Sequence, residues 1–233
     1  MAANIFLIPA FLHEDAPETI PPYVLDAVKQ CDVFFVENER TARRYLKKLW
    51  REMVIDDYQW FSIHKAEEAV QQQFKLFIQQ NKTIGIISEA GCPGVADPGQ
   101  LLVNVAHKSG AIIKPLVGPS SILLALMASG MNGQKFQFNG YLPIDVSERR
   151  NIIKELENES ARKKCTQIFI ETPFRNNQLI KDLVEQCKPQ TQLCIAIDVT
   201  SPSEKIVTKS IHDWNKKLPD IHKRLAIFLL YAG

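Results

Sequence analysis

Residues 84–99, reading I-G-I-I-S-E-A-G-C-P-G-V-A-D-P-G, constrain this chain more than any other stretch. The apolar run 84–87 reads as a buried strand. It stops at small and turn-forming residues, Ser88, Ala90, Gly91, Pro93, Gly94, Ala96, Pro98 and Gly99, with two acids, Glu89 and Asp97, among them. In an open α/β sheet, ligands collect just beyond the carboxyl ends of strands. Short side chains there let a ligand approach the backbone closely. Pro93 and Pro98 stiffen the loop, so its peptide groups are fixed before anything binds. A helix is expected from Gln100, with Leu101, Leu102, Val105 and Ala106 on one face. Two acids framing so much Gly and Pro point to a ligand-binding loop rather than an ordinary strand–turn–helix link.

The rest of the composition bounds the class. At 233 residues the chain is long enough for one large domain or two small ones. Apolar residues make up 45% and charged residues 23%, as in ordinary globular proteins. A net charge of +2 gives no global argument for nucleic acid, and none against a local basic patch. Cys31, Cys92, Cys165, Cys187 and Cys194 show no C-x-x-C spacing and read as reduced thiols in a cytoplasmic protein. Only Cys92 lies in the loop, where a nucleophilic role competes with simple packing. The start of the chain lacks a basic n-region, and the longest apolar tract, 122–128, is far shorter than the ~20 residues that span a bilayer. The expectation is a soluble protein with no membrane partner.

Strand-like runs at 5–8, 33–36, 84–87 and 112–116 alternate with helical patterns at 22–30, 40–50, 66–80 and after Gly99. Such alternation predicts a mostly parallel sheet with helices on both faces. After Gly118 the character changes. An apolar helix at 120–129 is followed by strand-like runs at 136–142, 167–171, 192–199, 204–208 and 224–231, with helices at 147–159 and 174–187. The last three strands are closely spaced, which points to a mixed or antiparallel sheet. The reading is two α/β domains, 1–117 and 118–233, with a ligand cleft between them.

Several other clusters carry chemistry. Gly118-Pro119-Ser120-Ser121 opens a helix, either as a plain cap or as a polar grip on a ligand. Glu37, Glu39, Arg40 and Arg43 follow the second strand, as a solvated helix start or as ligand contacts. Glu171-Thr172-Pro173-Phe174-Arg175 sets an acid at a strand end and an arginine at a helix start. They bind a polar ligand or pair with each other. Arg149, Arg150, Arg162, Lys163 and Lys164 flank one helix, and Arg43, Arg44, Lys47 and Lys48 another; each is a solvated face or meets a phosphate backbone. His13, His64, His107, His212 and His222 lack metal-ligand spacing, and His64, after Trp60-Phe61, reads as a structural or surface residue or else as one of the cleft. There is no G-x-G-x-x-G after the first strand and no G-x-x-x-x-G-K-[ST].

Taken together, these residues resemble the tetrapyrrole methylase superfamily, the class III S-adenosylmethionine-dependent methyltransferases. Within it they are most similar to the ribosomal RNA small subunit methyltransferase I branch. Residues 88–99, S-E-A-G-C-P-G-V-A-D-P-G, resemble that branch's S-D-A-G-T-P-x-I-S-D-P-G. Leu116-Val117-Gly118-Pro119-Ser120-Ser121 resembles P-x-P-G-P-[SC]-[SA]. Phe138-Asn139-Gly140-Tyr141-Leu142-Pro143 with Arg149-Arg150 resembles F-x-G-F-L-P…R-R. Glu171-Thr172-Pro173-Phe174-Arg175 resembles E-S-P-H-R, and Glu37-Asn38-Glu39-Arg40-Thr41 resembles E-D-T-R-x. The order is the family's and the matches cover most of the chain. Two departures stand out. The first-strand loop, P-x-P-I-G-N-L in the family, reads Pro9-Ala10-Phe11-Leu12-His13-Glu14-Asp15 here. The family's R-E-L-T-K-x-x-E becomes Ile197-Asp198-Val199-Thr200-Ser201-Pro202-Ser203-Glu204, without its arginine and lysine.

The resemblance implies methyl transfer from S-adenosylmethionine held in the cleft between two α/β domains. It implies cofactor contacts from Ala90, Gly91, Val95, Asp97, Ser120 and Ser121. Glu37, Arg40 and Glu171 are the implied catalytic candidates, and Arg149, Arg150 and Arg175 the candidates for substrate phosphates. The implied substrate is a cytidine ribose 2′-hydroxyl of small-subunit ribosomal RNA, and the implied assembly a homodimer. A tetrapyrrole or other small-molecule methyltransferase, and a divergent cofactor-binding relative with little activity, are the competing readings.

Overall fold

The protein is described here from a computed structural model covering residues 2–63 and 68–233. His64 and the start of the helix expected at 66–80 lie outside the described residues. The chain forms two compact units, Met1–Ser120 and Ser121–Gly233.

The first unit runs β1 (Asn4–Ile8), α1 (Tyr23–Lys29), β2 (Val33–Val36), α2 (Glu39–Leu49), β3 (Gln59–Ser62), α3 (Glu68–Gln79), β4 (Ile84–Ile87), α4 (Gly99–Lys108) and β5 (Ile112–Pro115). Its five strands are all parallel, in the order β3-β2-β4-β1-β5. β2 and β4 are buried at every position, as strands covered on both faces must be. One face packs on α1 and α2 through Val24, Val28, Tyr45 and Leu46. The other packs on α3 and α4 through Phe74, Phe77, Leu102 and Val105. Leu101, expected on the apolar face of α4, stays 40% exposed because the helix turns it outward.

β3 was not evident as a strand in the sequence. Its four residues join the sheet edge through aromatic pairs with β2. Phe34 stacks on Trp60 at 4.9 Å and Phe35 on Phe61 at 5.0 Å, one pair on each face. Gly85 in β4 leaves room for this packing, since a Cβ there would lie 2.7 Å from the Phe34 ring. At the far end, Gly118 lies flat against Pro9, where a Cβ would come within 2.1 Å of the proline ring. That close approach holds the chain after β5 against the chain after β1.

The second unit contains α5 (Ser121–Ser129), β6 (Phe136–Tyr141), α6 (Val146–Lys163), β7 (Thr166–Ile170), α7 (Asn176–Gln186), β8 (Gln192–Ile197), β9 (Lys205–Ser210), α8 (Ile211–Lys216) and β10 (Ala226–Tyr231). Its sheet has the order β6-β7-β10-β8-β9. β6 and β7 are parallel and the remaining pairs antiparallel. Phe169, Leu183, Ile195, Trp214 and Phe228 belong to the core between this sheet and the helices. α6 runs four residues beyond its expected end. Asp145 caps its start by accepting from the Glu148 N–H, and Lys164, left-handed at φ 51°, ends it. α8 was not foreseen; Ser210 caps it by accepting from the Asp213 N–H. β8 and β10 are shorter than their apolar runs. Asp198, at φ 47°, turns the chain, and its carboxylate takes the Arg224 guanidinium and the Leu225 N–H.

A buried ion-pair network locks α6 to α7. Asp182 is fully buried and accepts from Arg149 at 2.6 Å and from Arg150 at 3.0 Å. The second nitrogen of Arg149 donates to the Pro143 and Ile144 carbonyls, so the turn after β6 is tied to the same point. Removing the acid alone would strand a buried cation. Asp182→Ala is expected to lower unfolding free energy by about 3–5 kcal/mol in denaturant titration. Gly118→Ala is expected to cost about 1–3 kcal/mol by overpacking against Pro9. An unchanged midpoint in either variant would contradict the role given to that residue.

Candidate functional site

Parallel strands deliver all their following loops to one edge of the first unit. β1 and β4 are neighbours, yet the chain leaves β1 toward β2 and leaves β4 toward β5, on opposite faces of the sheet. A crevice opens where connections diverge in this way. The loops at this point are residues 9–15 and 88–98.

The two loops are joined to each other. Ala10 and Gly91 exchange both backbone hydrogen bonds, at 2.9 and 3.0 Å. Gly91 sits at φ 74°, a conformation glycine adopts without cost. Its N–H is therefore spent on Ala10. Its carbonyl accepts from both the Ala10 N–H and, at 3.4 Å, the Ser88 hydroxyl, so a ligand meets this residue through its bare Cα.

Asp97 shapes the rest of the loop. Its Oδ1 accepts the Gly94 N–H at 2.9 Å and the Gly99 N–H at 2.7 Å. Burial pushes this carboxyl up, and the two glycine N–H bonds pull it partly back. The acid works on its own loop, holding the turn that starts α4. Ala96 is left at φ 62°, a strained position for a residue with a Cβ. Ala90 and Val95 point outward, Val95 being 50% exposed. Among the described residues, the Ala90, Cys92, Ala96 and Asp97 N–H groups have no protein acceptor. The loop is thus a rigid rim with short side chains and unpaired donors.

Cys92 does not belong to that rim chemically. Its Sγ donates weakly to the Gly118 and Pro119 carbonyls at 3.7 and 3.5 Å. Burial, and then Asp97, push the thiol up, which keeps it protonated and not nucleophilic. Ser120 and Ser121 follow directly, at the start of α5, and neither hydroxyl has a hydrogen-bond partner among the described residues.

Glu37 and Arg40 flank β2 at the same edge. Glu37 accepts the Glu89 N–H at 2.9 Å, tying the end of β2 to the loop after β4. Asn38 caps α2 by accepting from the Arg40 and Thr41 N–H groups. That leaves Arg40 exposed and, among the described residues, without an acidic partner. A cavity of about 260 Å³ lies beside these groups, lined by Phe11, Leu12, His13, Thr41, Tyr45 and Glu89 among others. Thr41 and Tyr45 line this cavity although no sequence motif marks them as site residues. Thr41 donates to Glu89 at 3.4 Å, and the buried Tyr45 hydroxyl donates to the Pro9 carbonyl at 2.5 Å. Their spacing of four residues on an amphipathic helix is the signal that was there to be read. No group of metal-binding side chains occurs among the described residues.

The remaining expected residues lie in the second unit. Glu171 follows β7 with a fully buried side chain. Its Oε1 accepts the Thr172 N–H at 2.6 Å and the Arg175 guanidinium at 2.5 Å. Its Oε2 is buried with no partner. Arg175 and Glu171 therefore pair with each other, one of the two alternatives their spacing allowed. Arg150 is partly exposed and bridges Asp182 and Glu185. Arg149 is 3% exposed, with its guanidinium divided between Asp182 and the Pro143 and Ile144 carbonyls, an arrangement that clamps the turn after β6.

Comparison with known proteins follows the same lines. Residues 15–214 match the family model described as Tetrapyrrole (Corrin/Porphyrin) Methylases. The ribosomal RNA small subunit methyltransferase I of Buchnera aphidicola subsp. Schizaphis graminum is 31% identical over 176 residues, covering 74% of this chain and 60% of that protein. The protein of the same name from Mycobacterium tuberculosis H37Rv is 30% identical over 198 residues, covering 84% and 67%. The chain thus spans about 60–67% of the length of these relatives. Among solved structures, diphthine synthase superposes with a TM-score of 0.70 at 13% identity, covering 99% of this chain and 90% of that one. The methyltransferase CobJ superposes with 0.64 at 16%, covering 99% and 93%. Helices of the described residues include none long and apolar enough to cross a membrane. The chain belongs to the tetrapyrrole methylase family, on its ribosomal RNA small subunit methyltransferase I branch.

Proposed function

We propose that this protein is an S-adenosylmethionine-dependent methyltransferase acting on small-subunit ribosomal RNA, at a cytidine ribose 2′-hydroxyl. The observation that carries the reading is the loop 88–99, a rigid rim of short side chains with unpaired N–H donors at the β1/β4 crevice. The branch of relatives supplies the substrate class.

The residues fit the cofactor this family implies. Ala90, Gly91 and Val95 offer backbone and small apolar surface, Ser120 and Ser121 offer free hydroxyls, and Asp97 acts by holding the loop in shape. When bound, S-adenosylmethionine supplies a methyl group on a sulfonium. The protein's part is to orient donor and acceptor and to manage one proton. Glu171 is the better candidate for that proton, because its Oε2 is buried and unpartnered while Oε1 takes every bond. Glu37 has one oxygen committed to the Glu89 N–H. Arg40 is a free cation for a phosphate, with Arg150 and Arg175 as further contacts. A homodimer in the cytoplasm completes the reading, checked by light scattering and fractionation.

A second reading has one specific support. The first-strand loop carries His13-Glu14 where the branch has Gly-Asn, and the Asp15 N–H donates to His13 Nδ1 at 3.2 Å, so that nitrogen is occupied. This reading is a divergent relative that binds the cofactor with little turnover.

Asp97→Ala is expected to lower calorimetric S-adenosylmethionine affinity by at least about tenfold, equal to ~1.4 kcal/mol of lost pre-organisation. Asp97→Asn keeps an acceptor for both glycine N–H groups and is expected to retain most of the affinity. Equal loss in both would mean that the charge, not the tie, matters. Gly91→Val is expected to lose binding as well, since φ 74° is strained for a branched residue. Mass spectrometric mapping of ribosomal RNA from cells with and without the protein tests the reaction. The expected outcome is one 2′-O-methylated cytidine that depends on the protein; its absence despite intact cofactor binding would favour the second reading.

A further inference from the structure

The second unit carries a basic groove at the end of its sheet opposite the Glu171 loop. Gln134, Lys135, Phe136, Gln137, Arg162 and Lys163 line it, with a volume of about 630 Å³. Lys164 continues the run and is exposed. Lys163 pairs with Glu159 one turn earlier. Lys135, Arg162 and Lys164 have no acidic partner among the described residues. Two uncompensated cations in the groove, Lys135 and Arg162, with Lys164 next in sequence, are not a consequence of the overall charge, which is only +2.

The bland account is that Arg162 and Lys163 complement the negative end of the α6 dipole. It does not cover Lys135 and Phe136, which come from the turn into β6. That turn is built onto the helix end. Asn132 accepts the Gln134 and Lys135 N–H groups and donates to the Lys164 carbonyl at 2.8 Å. Thr166 returns a hydroxyl bond to the Asn132 carbonyl at 3.0 Å. The cations are therefore presented from two fixed segments. Between them Phe136 is 42% exposed at the start of the outermost strand of the sheet.

Fixed cations around a solvent-facing aromatic ring suit a nucleic acid strand, whose phosphates meet the charges and whose bases stack on the ring. We propose that this groove is a second RNA contact, separate from the methyl-transfer loops, that grips the ribosomal RNA substrate by its backbone and stacks one base on Phe136. β6 spans about 17 Å, so within the second unit the groove lies at the other end of the sheet from the Glu171 loop. The inference rests on the RNA-substrate reading given above.

The test is anisotropy binding to transcribed small-subunit ribosomal RNA over a salt series, with calorimetric S-adenosylmethionine affinity measured on the same samples. Lys135→Gln with Arg162→Gln removes two phosphate contacts. The log–log salt slope is expected to flatten by about 1.4, and affinity to fall about 25-fold at 0.1 M salt. Phe136→Ala is expected to lose at least about fivefold with the salt slope unchanged. S-adenosylmethionine affinity and the thermal midpoint should stay at the wild-type values in all variants, which separates the contact from a folding defect. If the wild type binds RNA and the variants match it, the groove is not an RNA contact. Unchanged binding to free RNA with weakened binding to intact small subunits would assign the groove to a ribosomal protein and overturn the proposal. A wild type that binds no RNA at all would instead remove the substrate reading on which it rests.

Discussion

A carboxylate that serves its own loop sets the form of the candidate site. Without Asp97 the stretch 88–99 has almost no side chain with which to hold a shape, because its residues are chosen for smallness. Two short hydrogen bonds to Gly94 and Gly99 replace the packing that a larger loop would use. The Ala10–Gly91 bridge then fixes the loop to the chain after β1, and Glu37 fixes it to the chain after β2. Three strand ends are thereby locked into one rim before any ligand arrives. Such pre-organisation reduces the ordering cost of binding, which for a loop this bare would otherwise be large.

The second unit uses the opposite device. Its loops are held by ion pairs whose acids are fully or largely buried. Arg149 and Asp182 clamp the turn after β6 to both long helices, and Glu171 and Arg175 close the turn after β7. Asp198 and Arg224 do the same for the turn after β8, where the branch's arginine and lysine are missing from the local sequence. A cation arrives there from a different part of the chain. The orphaned Oε2 of Glu171 is the exception in this set of satisfied groups, and an unpaired buried acceptor is costly enough to mark a place where something else binds or reacts.

Much of the architecture was legible from apolar runs. β1, β2, β4 and β5 lie where short hydrophobic stretches bounded by turn residues predict them, and α2 begins beside the Asn38 cap. β3 was not, because Gln59–Ser62 is half-exposed and owes its place to stacking on Phe34 and Phe35 rather than to its own pattern. α8 was missed because six residues are too few to show a helical period. α6 ran past its expected end because no glycine or proline interrupts it. Apolar runs overshot β8 and β10 for the converse reason: Asp198 imposes a turn that hydrophobicity does not encode.

By itself, the sequence determined the alternation of strands and helices, the bare Gly- and Pro-rich loop and the family to which they belong, because these are local properties of residue size, φ preference and periodicity. Only the tertiary structure decided how charged groups are spent. Arg149 and Arg150 read alike as neighbouring cations, yet one is buried on Asp182 and the other reaches the surface. Lys135 and Arg162 are 27 positions apart and share a groove because the turn at Asn132 is bonded to the end of α6. Charge pairing depends on which side chains meet across the fold, and no local pattern records that meeting.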